Sequence, residues 1–392
     1  MDEESYARAA LTYLAEPGDV RLGALIRACG AVRMLDAIKA GRLPDEARDA
    51  VGDAARQPTT QQPPTHQRAT QQRAMERWRV RLEQLPEPGE VAGFCRAGIR
   101  LIHPGDPEWP GQLADLGDAQ PYALWLRGTA DLRFSCLRSV AIVGSRAATA
   151  YGSYVAAEIG ATVAARGWAV ISGGAYGVDA AAHRGALGAG GVTVAVLACG
   201  VNVPYPAGHK DLLEAIAVHG VIASEWPPGW NATRLRFLVR NRVIAALAAG
   251  TLVVEAGQRS GALNSARHAR DLGRRLMAVP GPVTSDLSAG CHHIIREWQG
   301  VLVTSAAEVM EHLSPVGAPA DLNTGAVLGR DQLDLETATV LDALPARGGM
   351  GLAGIAVKAG LDPVTVVRCL GALAAGGFAE RCDEGWRVRR RA

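Results

Sequence analysis

The sequence of 392 residues predicts an α/β protein whose core is a doubly wound, mostly parallel sheet. Between residues 99 and 313, short apolar segments typical of strands alternate with amphipathic helical segments. The strand segments, such as 192–197, are nearly continuous runs of apolar residues, and such runs indicate parallel strands covered by helices on both faces. Glycine-rich turns follow four of these strands. Because ligands of such sheets bind beyond the carboxyl ends of the strands, the turns are candidate binding elements.

The composition is that of an ordinary globular protein, with 48% apolar and 20% charged residues. No apolar run is long enough to cross a membrane, and the acidic start lacks the basic region of a signal peptide. Seven scattered cysteines without a C-x-x-C pair are typical of a reducing compartment. We therefore expect a cytoplasmic protein with no membrane contact.

The overall charge does not indicate a partner. The formal net charge is only +2, and arginine outnumbers lysine 38 to 3, which a GC-rich genome would explain. A nucleic-acid role must therefore rest on local clusters of arginine and not on a global field.

Residues 1–95 predict a small helical domain of the SAM or helix-hairpin-helix type. Tyr6, Ala10 and Leu14 share one helix face. A Pro/Gln-rich insertion near 56–72 is too polar to build a core and predicts a flexible linker or loop. A charged helix is expected over 72–85.

Residues 96–314 predict the α/β domain. We expect strands at 99–102, 140–143, 169–171, 192–197, 221–223, 251–255, 276–279 and 301–303. The intervening helices are amphipathic: Val155, Ile159 and Val163 line one face, and Gly167 ends that helix.

Residues 315–330 are expected to be a linker, and 331–392 a winged-helix domain. Three helices are expected at 335–344, 352–359 and 363–375, followed by a short hairpin. Asp362 is a suitable N-cap before Pro363. The third helix carries only Arg368, so a protein contact or dimer-supporting role is at least as consistent with the sequence as DNA binding.

The first glycine turn follows the strand at 140–143 and carries Gly144, Ser145 and Arg146. Gly144 allows close approach of the backbone, while the Ser145 hydroxyl and the Arg146 guanidinium suit a phosphate. An ordinary strand-to-helix turn with a surface arginine would have the same residues, so this motif is weak by itself.

The second turn contains Ser172, Gly173, Gly174, Tyr176, Gly177 and Asp179. Its glycines are expected to leave backbone N–H groups unobstructed for an anion, and Asp179 is expected to cap the next helix or orient the loop. With His183, Ser172 and Asp179 could form a hydrolase triad. Three such residues in one strand–turn–helix unit are more typical of capping and loop support.

The third and fourth turns complete the set. Tyr205 and the following proline are expected to shape the wall of the pocket. Glu255 has no apparent partner acid, so we interpret it as a loop-organising carboxylate in preference to a catalytic one. Arg259, Ser260 and Gly261 are expected to form another helix N-terminus that attracts an anion.

The segment that starts at Phe237 is the most informative local pattern. Arg240 and Arg242 are expected to face the cleft while Val243 faces the core. Solvated arginines would explain the pattern too, but two cations near a helix start oppose the helix dipole, and an external anion would relieve that cost. A base stacked on Phe237 would contribute about 1–3 kcal/mol. The pattern therefore favours a chain of phosphates with bases.

Together these motifs resemble the bacterial DNA-processing protein A (Smf) family. The resemblance covers roughly residues 99–313 and rests on Val143-Gly-Ser-Arg146, Ser172-Gly-Gly-Ala-Tyr-Gly-Val-Asp179, Gly200 with Tyr205-Pro206, Phe237 with Arg240-Asn-Arg-Val-Ile, Val253-Val-Glu-Ala256, Ser260-Gly and Ala278-Val-Pro-Gly281. The flanking helical and winged-helix segments agree with that family's three-part layout. The resemblance implies an extended Rossmann-like core.

The resemblance also implies a function: a cytosolic, non-catalytic protein without cofactor that binds single-stranded DNA, loads the recombinase RecA onto it and acts as a homodimer. Single-strand binding protein is a further expected partner. In that family the first turn and the Phe-to-Arg segment line the path of the strand, which implies that role for Gly144, Ser145, Arg146, Phe237, Arg240, Asn241 and Arg242. Gly173, Gly174 and Gly177 match its second loop. We also predict DNA contacts at Ser172, Tyr176, Arg259, Ser260 and Gly261. Tyr176 stands where relatives often carry a basic residue, so a phosphate contact is absent or replaced by stacking.

Three other functions remain as alternatives. A phosphoribohydrolase of the lysine-decarboxylase-like type would carry a Pro-Gly-Gly-x-Gly-Thr run, of which only Pro280-Gly281-Pro282 is present. A dehydrogenase would have G-x-G-x-x-G after the first strand, which is missing. A protein-interaction scaffold would not bind oligonucleotides.

The adjacent residues Cys291, His292 and His293 are not spaced for a tetrahedral metal site, so no metal is expected.

Overall fold

The structure is a computed structural model. It describes residues 1–44, 64–314 and 333–389. Residues 56–63 of the predicted Pro/Gln-rich insertion and the predicted linker at 315–330 lie outside these residues. Residues 64–72 of the insertion are helical, so the prediction of a loop is wrong there. The chain divides into two compact units, 1–321 and 322–392.

The first unit begins with helices α1 (Glu3–Leu14), α2 (Val20–Cys29), α3 (Ala31–Ala40), α4 (Pro64–Arg79) and α5 (Pro88–Arg96). The charged helix expected over 72–85 instead begins at Pro64 and ends at Arg79, and only a short 3-10 turn, Leu82–Gln84, follows it.

These N-terminal helices bury a core of their own. Leu11, Leu22, Met34 and Trp78 are almost fully buried in it. Asp19 caps α2 by accepting hydrogen bonds from backbone amides, so the chain turns sharply between α1 and α2. This turn packs against the sheet domain.

Among the described residues, nine strands form one sheet. They are β1 (Ile99–Ile102), β2 (Leu124–Gly128), β3 (Ser139–Val143), β4 (Ala169–Ser172), β5 (Thr193–Leu197), β6 (Val221–Ser224), β7 (Gly250–Val253), β8 (Arg275–Ala278) and β9 (Val301–Leu302). The order is β1-β2-β6-β5-β4-β3-β7-β8-β9, and the strands from β6 to β9 are mutually parallel. The predicted α/β class and mostly parallel sheet are confirmed.

Strand β2 was not predicted from the sequence. It pairs antiparallel with both β1 and β6, so it joins the first strand to the parallel part of the sheet. Its Trp125 is fully buried and donates its indole N–H to the Thr12 hydroxyl at 3.3 Å. A single short strand between irregular segments has no period long enough to identify it.

Helices cover both faces of this sheet. They are α6 (Leu132–Leu137), α7 (Ala150–Ala165), α8 (Val178–Gly188), α9 (Lys210–His219), α10 (Arg234–Leu247), α11 (Gly261–Asp271), α12 (Ala289–Glu297) and α13 (Ala306–Leu313). Side chains of β3 alternate between the two layers: Ala141 and Val143 pack towards α10 and α11, whereas Val140 and Ile142 pack towards α7 and α8. This alternation explains why the strands are apolar throughout. No described helix is both long and apolar enough to span a membrane.

The second unit contains α14 (Leu335–Ala343), α15 (Leu352–Ala359) and α16 (Pro363–Ala375), then a hairpin of β10 (Ala379–Cys382) and β11 (Gly385–Val388). The order of elements is the one expected for a winged helix. Asp362 accepts hydrogen bonds from the amides of Val364 and Thr365, both at 3.0 Å, and so caps α16 as the sequence predicts.

Candidate functional site

An open cleft of about 680 Å³ lies beyond the carboxyl ends of β3 and β7. The strand order reverses between these two strands, and such switch points are the usual ligand sites of open α/β sheets. Predicted site residues that line the cleft are Gly144, Ser145, Arg146, Asp179, Tyr205, Phe237, Arg240, Asn241, Arg259, Ser260 and Gly261. The structure thus brings together residues from all four glycine turns and from α10.

Glu255 fixes the first glycine turn. Its carboxylate accepts hydrogen bonds from the Thr149 amide at 2.9 Å and hydroxyl at 2.6 Å, and its carbonyl accepts one from the Ser145 amide at 2.7 Å. A side chain at Gly144 would meet Val178 Cγ2 at 2.6 Å, so only glycine allows this packing. The Arg146 side chain consequently leaves a fixed turn and lies exposed in the cleft.

Asp179 organises the second turn from within. It accepts hydrogen bonds from the amides of Gly173 at 3.1 Å and Ala175 at 3.4 Å, and burial raises its pKa above the ordinary value. The expectation that the Gly173 amide is unobstructed is therefore wrong, because that N–H points inward to a carboxylate. Gly174 and Gly177 have positive φ angles of 67° and 76° and shape the turn behind the cleft surface.

Arg240 connects helix α10 to this turn. It is 3% exposed and donates hydrogen bonds to the carbonyl of Gly173 at 2.8 Å and to the carbonyl of Val196. Burial lowers its pKa to about 10, with partial compensation from Asp179. Arg240 therefore stays charged at neutral pH and forms the floor of the cleft.

An aromatic surface lies above that floor. The Phe237 ring is 5.5 Å from the Tyr205 ring, between centroids, at an interplanar angle of 49°. The guanidinium carbon of Arg146 lies 4.4 Å from the Phe237 centroid, and that of Arg240 lies 5.8 Å from it. Cations above a half-buried ring give both a phosphate-binding charge and a flat surface for stacking.

The far wall is the N-terminus of α11. The Ser260 hydroxyl accepts a hydrogen bond from the Ala262 amide at 3.2 Å and caps the helix, and the exposed Arg259 precedes it. Asn241 donates to Asn264 Oδ1 at 3.1 Å and so links this wall to α10. The positive end of the α11 dipole therefore opens into the cleft.

Arg234 also lines the cleft, although it was not among the residues predicted from the sequence. It occupies the first turn of α10 and is exposed. With Phe237, Leu238 and Asn241 it follows the spacing i, i+3, i+4, i+7 of one helix face, which is the signal that would have found it.

The prediction that Arg242 faces the cleft is wrong. Its guanidinium is buried and donates two hydrogen bonds to the Glu225 carboxylate, at 2.7 and 2.6 Å. Successive helical residues are separated by about 100°, so the directions of Arg240 and Arg242 differ by about 160° around the helix axis. Arg242 instead lies beneath Gly18 of the N-terminal helices, whose added Cβ would come within 3.0 Å of Arg242 Nε.

Ser172 and Tyr176 also lie outside the cleft lining. The Ser172 hydroxyl is fully buried and donates to the Ile142 carbonyl at 2.6 Å, so the prediction that Ser172 contacts DNA is wrong. Tyr176 is exposed and packs edge-on against His209, with ring centroids 4.5 Å apart.

His183, the base of the alternative hydrolase triad, has its partner outside that triad. His183 Nδ1 contacts the Thr193 hydroxyl at 2.7 Å, whereas Ser172 and Asp179 bond to backbone groups. Burial lowers the pKa of His183 to about 3. The imidazole is therefore a neutral core group and does not contact the serine.

Cys291, His292 and His293 do not converge either. Cys291 is buried, His292 Nε2 lies 3.0 Å from the Gly281 carbonyl, and His293 packs against Trp298. Across residues 1–44, 64–314 and 333–389, no cluster of three or more His, Cys, Asp or Glu side chains could hold a metal ion.

The fold and the cleft define an extended Rossmann-like protein with an open, cationic and aromatic-lined site at the switch point of its sheet. A family model described as DNA recombination-mediator protein A matches residues 100–314. A Mycobacterium tuberculosis protein named as a DNA processing protein DprA is 42% identical over 402 residues, which cover 100% of this chain and 96% of that protein. The chain belongs to the DNA recombination-mediator protein A family.

Solved structures agree with this assignment. The crystal structure of DNA processing protein A from Streptococcus pneumoniae superposes with a TM-score of 0.59 and 27% identity, covering 80% of this chain and 99% of that chain. DNA processing protein A from Helicobacter pylori, studied for its single-stranded DNA binding mode, gives a TM-score of 0.50 and 26% identity, covering 55% of this chain and 95% of that chain.

Proposed function

We propose that this protein binds single-stranded DNA in the cleft and acts, without catalysis, as a recombination mediator. The observation that carries the proposal is the Arg146 guanidinium over the Phe237 ring, beside Tyr205, in an open cleft. An open groove with cations and stacking surfaces suits a flexible polynucleotide, which presents phosphates and bases in alternation.

Each group has a distinct part in this proposal. Arg146 and Arg234 are exposed and contact phosphates. The positive end of the helix dipole at Gly261 attracts the same phosphates. Phe237 and Tyr205 stack bases. Arg240 is already bonded to two carbonyls, so it contributes charge to the floor and holds the second turn in place.

The carboxylates of the cleft region do not favour the rival enzymatic function. Glu255 and Asp179 each accept two hydrogen bonds from neighbouring turns, so both are engaged in loop support. The glycine-rich run of the phosphoribohydrolases is absent from the sequence. Incubation with AMP and analysis of products tests this rival directly, and release of adenine would favour it.

The remaining parts of the proposal come from the family. We infer that the protein works in the cytoplasm as a homodimer, transfers the bound strand to RecA and encounters single-strand binding protein there. The Helicobacter pylori relative, described for single-stranded DNA binding, supports the choice of ligand.

Fluorescence anisotropy tests the cleft. We expect Arg146→Ala to bind a labelled thymidine oligonucleotide about 10-fold more weakly than wild type at roughly 150 mM salt. Arg296→Ala is the matched control, because Arg296 is exposed on α12 and pairs with its neighbour Glu297. Equal affinity of Arg146→Ala and wild type would contradict the assignment of the cleft.

A second assay tests mediation. RecA filament formation on single-stranded DNA coated with single-strand binding protein should accelerate when wild type is added, and Arg146→Ala should accelerate it less. Binding without any acceleration would leave the DNA site in place and remove the mediator function.

A further inference from the structure

A second group of arginines surrounds an open groove on the N-terminal helices, which we call the α4 groove. It is lined by Arg21, Arg73, Glu76, Arg77 and Val80 and has a volume of about 430 Å³. The face of α4 that carries Arg73 and Arg77 is exposed, since Met75 and Trp78 of the opposite face are buried in the N-terminal core. Val80, just beyond α4, is 78% exposed.

The arginines of this groove differ from their neighbours in their partners. Elsewhere in the N-terminal region, Arg8 pairs with a glutamate and Arg27 with an aspartate. Within the described part of the chain, no carboxylate forms an ion pair with the side chains of Arg21, Arg73 or Arg77. Three uncompensated guanidiniums around one groove, with Glu76 as the single acid, attract an anion from outside.

The groove is also held in a fixed relation to the cleft. Glu16, in the turn after α1, accepts hydrogen bonds from Arg81 at 3.1 Å and from Arg236 at 3.0 Å. Arg236 directly precedes Phe237, and Arg81 lies 6.0 Å from the half-buried Trp230 ring. Glu16 therefore links the turn just after α4 to the first turn of α10.

The distances along α4 are short. Arg73 and Arg77 are four residues apart on α4, which is about one helical turn of 5.4 Å, and Arg81 lies in the turn just after the helix. A DNA strand that continues from Phe237 past Trp230 would reach Arg81, Arg77 and Arg73 in succession.

We propose that the α4 groove binds the phosphates of the same single strand where it continues beyond the cleft. This inference rests on the proposed function and extends it. The cleft then anchors a few nucleotides by stacking, and the groove adds an electrostatic contact that only a longer strand can reach.

The test compares two lengths of oligothymidylate. A hexanucleotide should fill the cleft alone, whereas about 16 nucleotides, the upper end of typical site sizes, should also reach the groove. Arg73→Glu/Arg77→Glu should bind the longer oligonucleotide at least 5-fold more weakly and leave affinity for the hexanucleotide unchanged. The slope of log affinity against log salt should become shallower by about 0.7 for each lost phosphate contact.

A control with the same change in net charge is Arg184→Glu/Arg296→Glu, at exposed positions on α8 and α12. It should have the wild-type length dependence, and Arg73→Gln/Arg77→Gln should give an intermediate loss. If the Arg73→Glu/Arg77→Glu protein, folded by circular dichroism, binds the longer oligonucleotide as wild type does, the groove proposal is overturned. The proposed function is judged separately, by whether Arg146→Ala weakens hexanucleotide binding.

Discussion

The two faces of helix α10 differ in what their arginines do. On the cleft face, Arg234 is exposed and Arg240 forms the floor beside Phe237. On the opposite face, Arg242 is buried in a bidentate pair with Glu225, beneath the N-terminal helices. Arginines of this one helix are therefore available to the proposed ligand on one side and support the packing of the N-terminal helices on the other. Substitutions on the two faces should therefore have different consequences.

Arg242→Ala should cause the largest change, and it should be a change in stability. Removing one partner leaves the Glu225 carboxylate buried without its pair, which costs about 3–5 kcal/mol in the free energy of unfolding. Urea denaturation followed by circular dichroism measures this cost. Arg242→Met/Glu225→Leu should recover most of it. A stable Arg242→Ala protein that fails to bind DNA would reverse the assignment of the two faces.

Phe237→Ala should have the converse effect. Loss of a stacked base weakens oligonucleotide binding by about 1–3 kcal/mol, while the half-buried side chain contributes little to the core. Anisotropy titration gives the affinity, and the same urea experiment should show a midpoint close to wild type. Phe237→Trp should retain binding. Tight binding by Phe237→Ala would mean that the ring does not touch the strand.

The core below the cleft predicts a dependence of stability on pH. The pKa of His183 is about 3 in the folded protein, below its ordinary value of 6.5, so the unfolded chain binds a proton that the folded protein does not. Its contribution to stability is therefore complete above pH 6.5 and falls as the pH decreases towards 3. Between pH 7 and 5 the loss should be about 2 kcal/mol.

His183→Gln should reduce this slope when urea denaturation is repeated at several pH values. Because a glutamine side chain does not titrate, the stabilities of the variant and wild type should converge at low pH. Parallel curves for the two proteins would show that the pKa of His183 is the same in the folded and unfolded states, contrary to this account.

The smallest effect is expected in the second unit. The outer face of α16 carries the exposed Val364 and Val367, and its Arg368 pairs with Glu336. With little cationic surface there, Arg368→Glu should change oligonucleotide affinity by less than about twofold, within the range typical of surface substitutions. A larger loss in the anisotropy titration would indicate DNA contacts on the second unit in addition to the proposed ones on α10.

Local patterns allowed much of the fold to be predicted from the sequence. The strands of the parallel sheet are apolar throughout because helices cover both faces, and Asp362 before Pro363 is a local cap signal; both were readable. Strand β2 was missed because its pairing with β1 and β6 depends on distant parts of the chain.

The site was predictable to the extent that glycine turns mark the ends of strands. Long-range partners decided the rest. Arg242 forms a buried ion pair with Glu225 and does not reach the cleft, and the Gly173 amide donates a hydrogen bond to Asp179. Neither contact leaves a signal in the local spacing of residues. Arg234, by contrast, was readable from helical periodicity once the start of α10 is known.

A crystal structure of the protein with an oligothymidylate of about six nucleotides, within the range of known single-strand sites, would show whether the cleft binds DNA. We predict a phosphate within hydrogen-bonding distance of the Arg146 guanidinium and a base stacked on Phe237 or Tyr205. A strand bound elsewhere, with the Arg146–Phe237 contact unchanged and the cleft empty, would contradict the account.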